Sequence, residues 1–167
     1  MLSAFKDRAA FMQSMFQNPI GVRAMLWSKL PLAAFAGLRV KKIDAGGAEV
    51  SLPAGWKTQN PFRSTYFAAQ AMAAEMSTGA CALLYIEQSG VKVSSLVTGL
   101  TAKFTKKATR EARFVFDQGA AMKAAIDQAI QSGEPVIFTA KSVGTQRGGE
   151  VIAEFEITWS FKKKSSS

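Results

Sequence analysis

The sequence predicts an α+β domain in which antiparallel strands wrap around one long apolar helix, and three observations carry that reading. Residues 151–161 place Val151, Ala153, Phe155, Ile157, Trp159 and Phe161 on one side of a strand and Glu154, Glu156, Thr158 and Ser160 on the other. Residues 66–84 read YFAAQAMAAEMSTGACALL, small or apolar almost throughout and richest in alanine. A helix with small residues on every side lets neighbouring backbones approach closely, so this one belongs inside the domain. Other alternating segments stand on both sides of it, which is the pattern of a sheet curled around a helix.

The elements follow in order. Residues 1–36 predict two short helices broken at Asn18-Pro19. Phe5, Ala9, Met12 and Phe16 form the stripe of the first; Val22, Met25, Leu26 and Leu30 form that of the second, before Pro31 interrupts it. This pair reads as a packing cover for the main domain, or as a basic amphipathic segment at a membrane surface, with Lys6, Arg8, Arg23 and Lys29 supplying charge. Residues 38–52 have β character with a turn or bulge at Gly46-Gly47. After the central helix, Leu96, Thr98, Leu100, Ala102 and Phe104 are expected on one face of a long strand, and Ala112, Phe114 and Phe116 on one face of the next. Residues 120–131 predict a connecting surface helix with Met122, Ile126 and Ile130 inward. Residues 136–143 should pair with the final strand across a glycine-rich turn at 144–149. The expected organisation is a helical extension over 1–36, one domain over 37–163 and a flexible tail over 164–167, with fraying from Lys162 onward.

Composition narrows the chemistry. A chain of 167 residues with 48% hydrophobic residues is long enough to bury a core. A mean hydropathy of +0.06 suggests a subunit interface or an apolar ligand. Twenty-one Lys and Arg against twelve Asp and Glu favour anionic partners: nucleic acid, a membrane surface or a phosphorylated small molecule. No aromatic RNA-binding motif occurs, so nucleic acid is not the expected partner. The absence of histidine excludes Ser-His-Asp and Cys-His nucleophile systems and removes the commonest transition-metal ligand; no metal site is expected. Proton transfer would fall to carboxylate, lysine, tyrosine or water. The single cysteine, Cys81, fits a reducing compartment and reads as a buried filler. Lys6, Asp7 and Arg8 interrupt any secretory signal core, and no apolar run is long enough to span a bilayer; a cytoplasmic protein is expected.

One acid stands alone. From residue 53 to 86 the only carboxylate is Glu75, in the middle of the apolar helix. Burial raises the pKa of an unpaired carboxyl and suits it to act as a base near neutral pH. The alternative at this point is a structural glutamate reaching water or a backbone amide. Upstream, Asn60-Pro61 and Ser64-Thr65 form a polar turn into the helix, and Ser64 or Thr65 can cap it. Free amides at the helix start can stabilise an oxyanion. Glu75 lies two to three turns beyond, so both could serve one reacting atom only in a groove shared with a partner subunit.

The stretch NPFRSTYFAAQAMAAEMSTG, residues 60–79, resembles the signature of hotdog-fold acyl-CoA thioesterases. The usual form is an Asn, a Gly-Thr, a His-Gly-Gly-like helix entry and an acidic residue seven positions after the last Gly. Without gaps, Asn60 falls on the family's Asn or Gln, Tyr66 on its His, Phe67 and Ala68 on its Gly pair, and Glu75 on its catalytic carboxylate. The chain is most similar to an uncharacterised branch with an extra N-terminal helical segment. It departs from the pattern at Arg63, Tyr66, Phe67 and Ala68, where side chains replace glycine or histidine and narrow backbone approach to a ligand.

The resemblance implies a hotdog fold and an acyl thioester bound at the interface of a homodimer, with a tetramer possible. Coenzyme A would enter only as part of the substrate, and no cofactor is implied. Glu75 would be base or nucleophile, the amides of Phe67 and Ala68 the oxyanion site, and Asn60 the group that orients water or the carboxylate. Ser64 and Tyr66 would lie against the substrate. Lys106, Lys107 and Arg110, clustered with Lys103, would meet coenzyme A phosphates or else form a solvated strand end. The expectation is a thioesterase acting by carboxylate-assisted hydrolysis; the alternative is an acyl-binding dimer without turnover.

Overall fold

The structure, a computed structural model, describes residues 18–165. The first expected helix, with Phe5 to Phe16, lies outside the described residues. Helix α1 (Pro19–Lys29) starts where the Asn18 side chain accepts from the Ile20 amide at 3.0 Å, with proline in the first turn. Pro31 ends one helix and opens another, α2 (Pro31–Ala36), which stops at Gly37 in the left-handed conformation. Strands β1 (Arg39–Asp44) and β2 (Gly47–Leu52) follow as a hairpin whose turn is organised by Asp44, which accepts from the amides of Gly46 and Gly47. Then come α3 (Phe67–Ser89), β3 (Val93–Phe104), β4 (Ala112–Phe116), α4 (Gly119–Ser132), β5 (Val136–Gln146) and β6 (Glu150–Lys163).

All six strands join one antiparallel sheet in the order β1-β2-β4-β5-β6-β3. Helix α3 runs across its inner face against β2, β4 and β5. Ala153, Phe155, Ile157, Trp159 and Phe161 of β6 face inward and are buried as expected, as are Ala112, Phe114 and Phe116 of β4, but an irregularity in the pairing opposite Gly144 and Thr145 leaves Val151 exposed and buries Ile152 instead. The alanine-rich helix is therefore embedded as expected, with Ala73, Ala74 and Cys81 fully inaccessible. A buried polar link ties it to β5: the hydroxyls of Ser77 and Ser142 lie 2.9 Å apart and share a hydrogen bond.

Several details differ from expectation. Helix α3 runs five residues past Leu84, because Tyr85 is buried and the stop, Gly90 at φ +67°, lies beyond it. Helix α4 is more than a surface connector: Met122, Ala125, Ile126 and Ala129 are buried, and it packs against α3, β5 and β6. Lys162 and Lys163 do not fray; they pair with Ser94 and Val93, and the Lys164 amide donates to Lys92 at 2.9 Å. Gly144 belongs to β5 rather than the turn, with the Phe114 ring lying where a side chain would stand.

The largest correction concerns β3. A bulge between Val97 and Gly99 breaks its alternation, so Leu96 pairs with Ser160 and Leu100 with Ile157. Leu96 and Leu100 therefore sit on opposite faces, and Leu96, Leu100 and Phe104 are all exposed. This strand is the end of the sheet and, among the described residues, pairs only with β6.

At the β1–β2 turn two remote segments meet, the end of α3 and the start of α4. Tyr85 Oη donates to Ala45 O at 2.9 Å, and the Gly119 amide donates to Gly46 O at 3.0 Å. A Cβ on Gly119 would come within 2.5 Å of Ala45 O and 2.6 Å of Tyr85 Oη, so only glycine fits.

Candidate active site

Loop 53–66 delivers the chain to α3. It is held by a short bridge between Gln59 and Thr65, by the Thr65 amide donating to Ala108 O at 2.7 Å, and by the Tyr66 amide donating to Thr58 O at 2.7 Å. Within it, Asn60 Oδ1 accepts from the Phe62 amide, the Ser64 amide and Ser64 Oγ at 3.0 to 3.2 Å. That turn places Arg63 in the left-handed region at φ 58°. Arg63 occupies the position where the resembled family has glycine, and the backbone keeps the conformation glycine would favour.

Neither Ser64 nor Thr65 caps the helix. The Ser64 hydroxyl is engaged by Asn60, Thr65 is buried in the bridge, and Tyr66 is the N-cap residue with no side-chain cap. The first amide to find an acceptor is Ala69, bonded to Tyr66 O. The amides of Phe67 and Ala68 have no acceptor among the described residues, as the first turn of an uncapped helix leaves them. They carry the positive end of the helix dipole to the surface.

An apolar cleft of ≈530 Å³ opens beside these amides, between loop 60–66 and residues 104–108. Its wall is aromatic: Phe67 stands edge-on to Tyr66 at 4.9 Å and to Phe104 at 6.4 Å, and Phe104 packs edge-on to Phe155 at 5.6 Å. Gln70 lies in the lining with 4% exposure. Its Nε2 donates to Thr65 O at 3.1 Å, which fixes the amide orientation and leaves Oε1 buried without a donor.

Glu75 is half-buried, with no ion pair or side-chain hydrogen bond among the described residues. Burial alone holds its pKa above the ordinary carboxylate value. Two neighbours shape its place. Gly79, one turn on, lacks the Cβ that would lie 3.0 Å from Glu75 Oε1 and 3.4 Å from the Trp159 ring. Trp159 Nε1 donates to Thr78 Oγ1 at 3.0 Å, and Thr78 Oγ1 donates to Glu75 O at 2.9 Å. Gly79 and Thr78 lie within the signature stretch without an expected role, and Trp159 is expected only as an inward residue of its strand. A lone glycine four positions after the lone acid, inside an alanine-rich helix, was the available signal.

Ala68 and Glu75 are seven residues apart, almost two turns, so they share a face but stand about 10 Å apart along the axis. The fold puts the two halves of the expected site on one helix and does not bring them together within one chain. Asn60 likewise stays with its own loop. Lys106 and Lys107 line both the apolar cleft and an adjoining basic groove of ≈630 Å³ that also holds Arg110. Arg147 adds a cation there that the sequence did not suggest, while Lys103 is not in its lining. Lys106 pairs with Glu150 and draws that carboxyl below its usual pKa; Lys107, Arg110 and Arg147 have no ion pair among the described residues. No three His, Cys, Asp or Glu side chains gather to hold a metal among those residues.

No curated protein matches the sequence. A probable thioesterase of unknown function from Pseudomonas aeruginosa, PA5026, superposes with a TM-score of 0.73 at 20% identity, over 88% of this chain and 97% of that one. Thioesterase HI1161 from Haemophilus influenzae gives 0.62 at 11% identity, over 87% and 91%. A protein of unknown function from Chlorobaculum tepidum gives 0.73 at 14%, over 87% and 97%. These likenesses establish the hotdog fold. Residues 21–161 match the family model described as a domain of unknown function, DUF4442, and the chain belongs to that family.

Proposed function

We propose that the protein hydrolyses acyl thioesters, coenzyme A esters first among them, in a groove formed by two copies of the chain. The observation that carries this is the pair of unsatisfied amides at Phe67 and Ala68 on the same helix as Glu75, an unpaired carboxyl with a raised pKa. Their separation along the axis fits a site in which one subunit supplies the amides and its partner the carboxylate. Strand β3 supports the pairing: it is a long sheet edge with Leu96, Leu100 and Phe104 exposed and one charged residue, Lys103.

In this reading Glu75 takes a proton from water, and the hydroxide adds to the thioester carbonyl. The resulting oxyanion accepts from the amides of Phe67 and Ala68. Collapse breaks the C–S bond, the thiolate leaves and takes up the proton, and the carboxylic acid is the second product. Asn60 shapes the loop that presents the amides, and its Nδ2, without an acceptor among the described residues, is free to hold the water. Ser64 completes that turn, Tyr66 and Phe67 wall the acyl cleft, and Lys106, Lys107 and Arg110 meet the coenzyme A phosphates.

The second reading, an acyl-binding dimer without turnover, rests on Phe67, whose ring stands against Phe104 at the cleft. Hydrolysis of an acyl-CoA panel by the wild type and by Glu75→Gln separates the two. Loss of a general base predicts a fall of about 10²-fold or more in kcat. Equal rates, or binding of acyl-CoA without turnover, would favour the binder; a strict monomer in size-exclusion chromatography would remove the shared site.

A further inference from the structure

Helix α1 is apolar on two sides. Val22 and Leu26 face the domain and are buried, while Ile20 and Trp27, with the charged Arg23 between them, stand on an outer side that nothing in the described residues covers. The uncovered surface continues through Leu30 and Leu32 to Phe35 on α2, and across to Trp56, whose ring meets Phe35 edge-on at 6.5 Å. Ile20 is 80% exposed, Leu32 70% and Trp56 76%, an exposure that large apolar side chains seldom reach together on one free surface.

The charge around this surface has one sign. Arg23, Arg39 and Lys41 line a groove of ≈460 Å³ beside α1, Lys29 ends that helix, and Lys57 Nζ sits 4.9 Å over the Phe35 ring. Residues 18–43 and 53–74 contain no acidic residue, and Asp44, just beyond, is engaged by Lys42 at 2.8 Å. A second copy of the chain on this face would set those cations against one another with no acid to meet them. Nucleic acid would accept the cations and stack on tryptophan, but it offers nothing to Ile20, Leu30 and Leu32.

We propose that this face, built from α1, α2 and the loop at Trp56, docks on an anionic lipid bilayer. The aliphatic side chains enter the boundary between headgroups and acyl chains, the two tryptophans lie at headgroup level, and the ring of lysine and arginine meets lipid phosphates. The face is separate from the cleft at the start of α3, so the proposal stands whether or not the protein hydrolyses thioesters.

The full chain, mixed with vesicles of phosphatidylcholine alone or with added phosphatidylglycerol, tests this by cosedimentation and tryptophan emission. Trp159 is buried, so a vesicle-induced change in emission reports on Trp27 and Trp56. Expected are binding to the anionic vesicles, a blue shift on binding, and release at high salt. Trp56→Ser with Leu32→Ser should weaken partitioning by about tenfold or more, and Lys57→Gln by about fivefold, with the thermal melt of each variant unchanged. Equal binding to both vesicle types, no binding to either, or unaltered binding by the double variant would overturn the proposal. So would a blue shift that grows with protein concentration without vesicles and is abolished by Leu32→Ser, which would assign the face to a second copy.

Discussion

Gly79→Ala separates the stability of α3 from the position of its carboxylate. The new methyl would lie 3.0 Å from Glu75 Oε1 and 3.4 Å from Trp159 Cη2. The second distance is ordinary contact, and the first asks the carboxylate, at the end of a flexible side chain, to move by a few tenths of an ångström. Replacing glycine by alanine within a helix gains about 0.8–1 kcal/mol, and a displaced carboxylate that reaches solvent offsets little of it. The melting temperature should therefore hold or rise by about 2–4 °C, the shift that 1 kcal/mol produces in a domain of this size. On the proposed thioester hydrolysis, turnover should fall nonetheless, by about tenfold, since a full ångström of misplacement can cost about 10²-fold. A thermal melt and a kcat measurement on the same preparation check both halves. A fall of several degrees would mean the Glu75 site is rigidly filled, and an unchanged kcat would mean its position is irrelevant to turnover; either refutes the reasoning.

Other expectations concern the same core. Burial holds the Glu75 pKa above its unfolded value, so its contribution to stability is present at low pH and lost as pH rises through the raised pKa. Glu75→Gln should accordingly match the wild type in acid and exceed it at neutral pH, read by denaturant titration; a less stable variant at neutral pH would mean the carboxylate has an ionic partner. If Glu75 is the base, the acidic limb of the pH–rate profile should turn above the ordinary glutamate value of about 4.3. Cys81, fully buried and pushed up to about 12 by burial first and by Asp44 second, should resist thiol reagents until the protein unfolds. Gly144→Ala sets a methyl 2.5 Å from the Phe114 ring and should cost about 1–3 kcal/mol, seen as a lower denaturation midpoint with the site residues untouched.

What the residues disclose before folding follows from what each pattern encodes. Alternation over residues 153–161 and the run of mostly small or apolar side chains in 67–84 reveal β6 and the embedded helix, because burial on one face or all round leaves a direct compositional trace. Glu75 is legible for the same reason, as the one acid in an apolar run. The bulge at Val97–Gly99 is hinted at only by Gly99, a residue that often marks a bulge, and the pairing with β6 is what shows that the alternation slips there. Ser64 looks like a cap by type, yet Asn60, four residues earlier, engages its hydroxyl through a turn that local pattern does not reveal. Gly79 and Trp159 lie far apart along the chain, and their common relation to Glu75 exists only in three dimensions.

The meeting of Tyr85, Gly119 and the β1–β2 turn bears on how the chain reaches its native state. The hairpin of β1 and β2 is local and can form early, but its turn acquires its last two partners only after the end of α3 and the start of α4 have arrived. Contacts between segments this distant carry a high loop-closure entropy and belong to the late part of folding. On that order of assembly, weakening the junction should speed unfolding more than it slows folding, which the two arms of a denaturant chevron would report. The junction sits at the opposite end of α3 from the open amides, so the end of the helix that anchors the turn is not the end left free for a ligand.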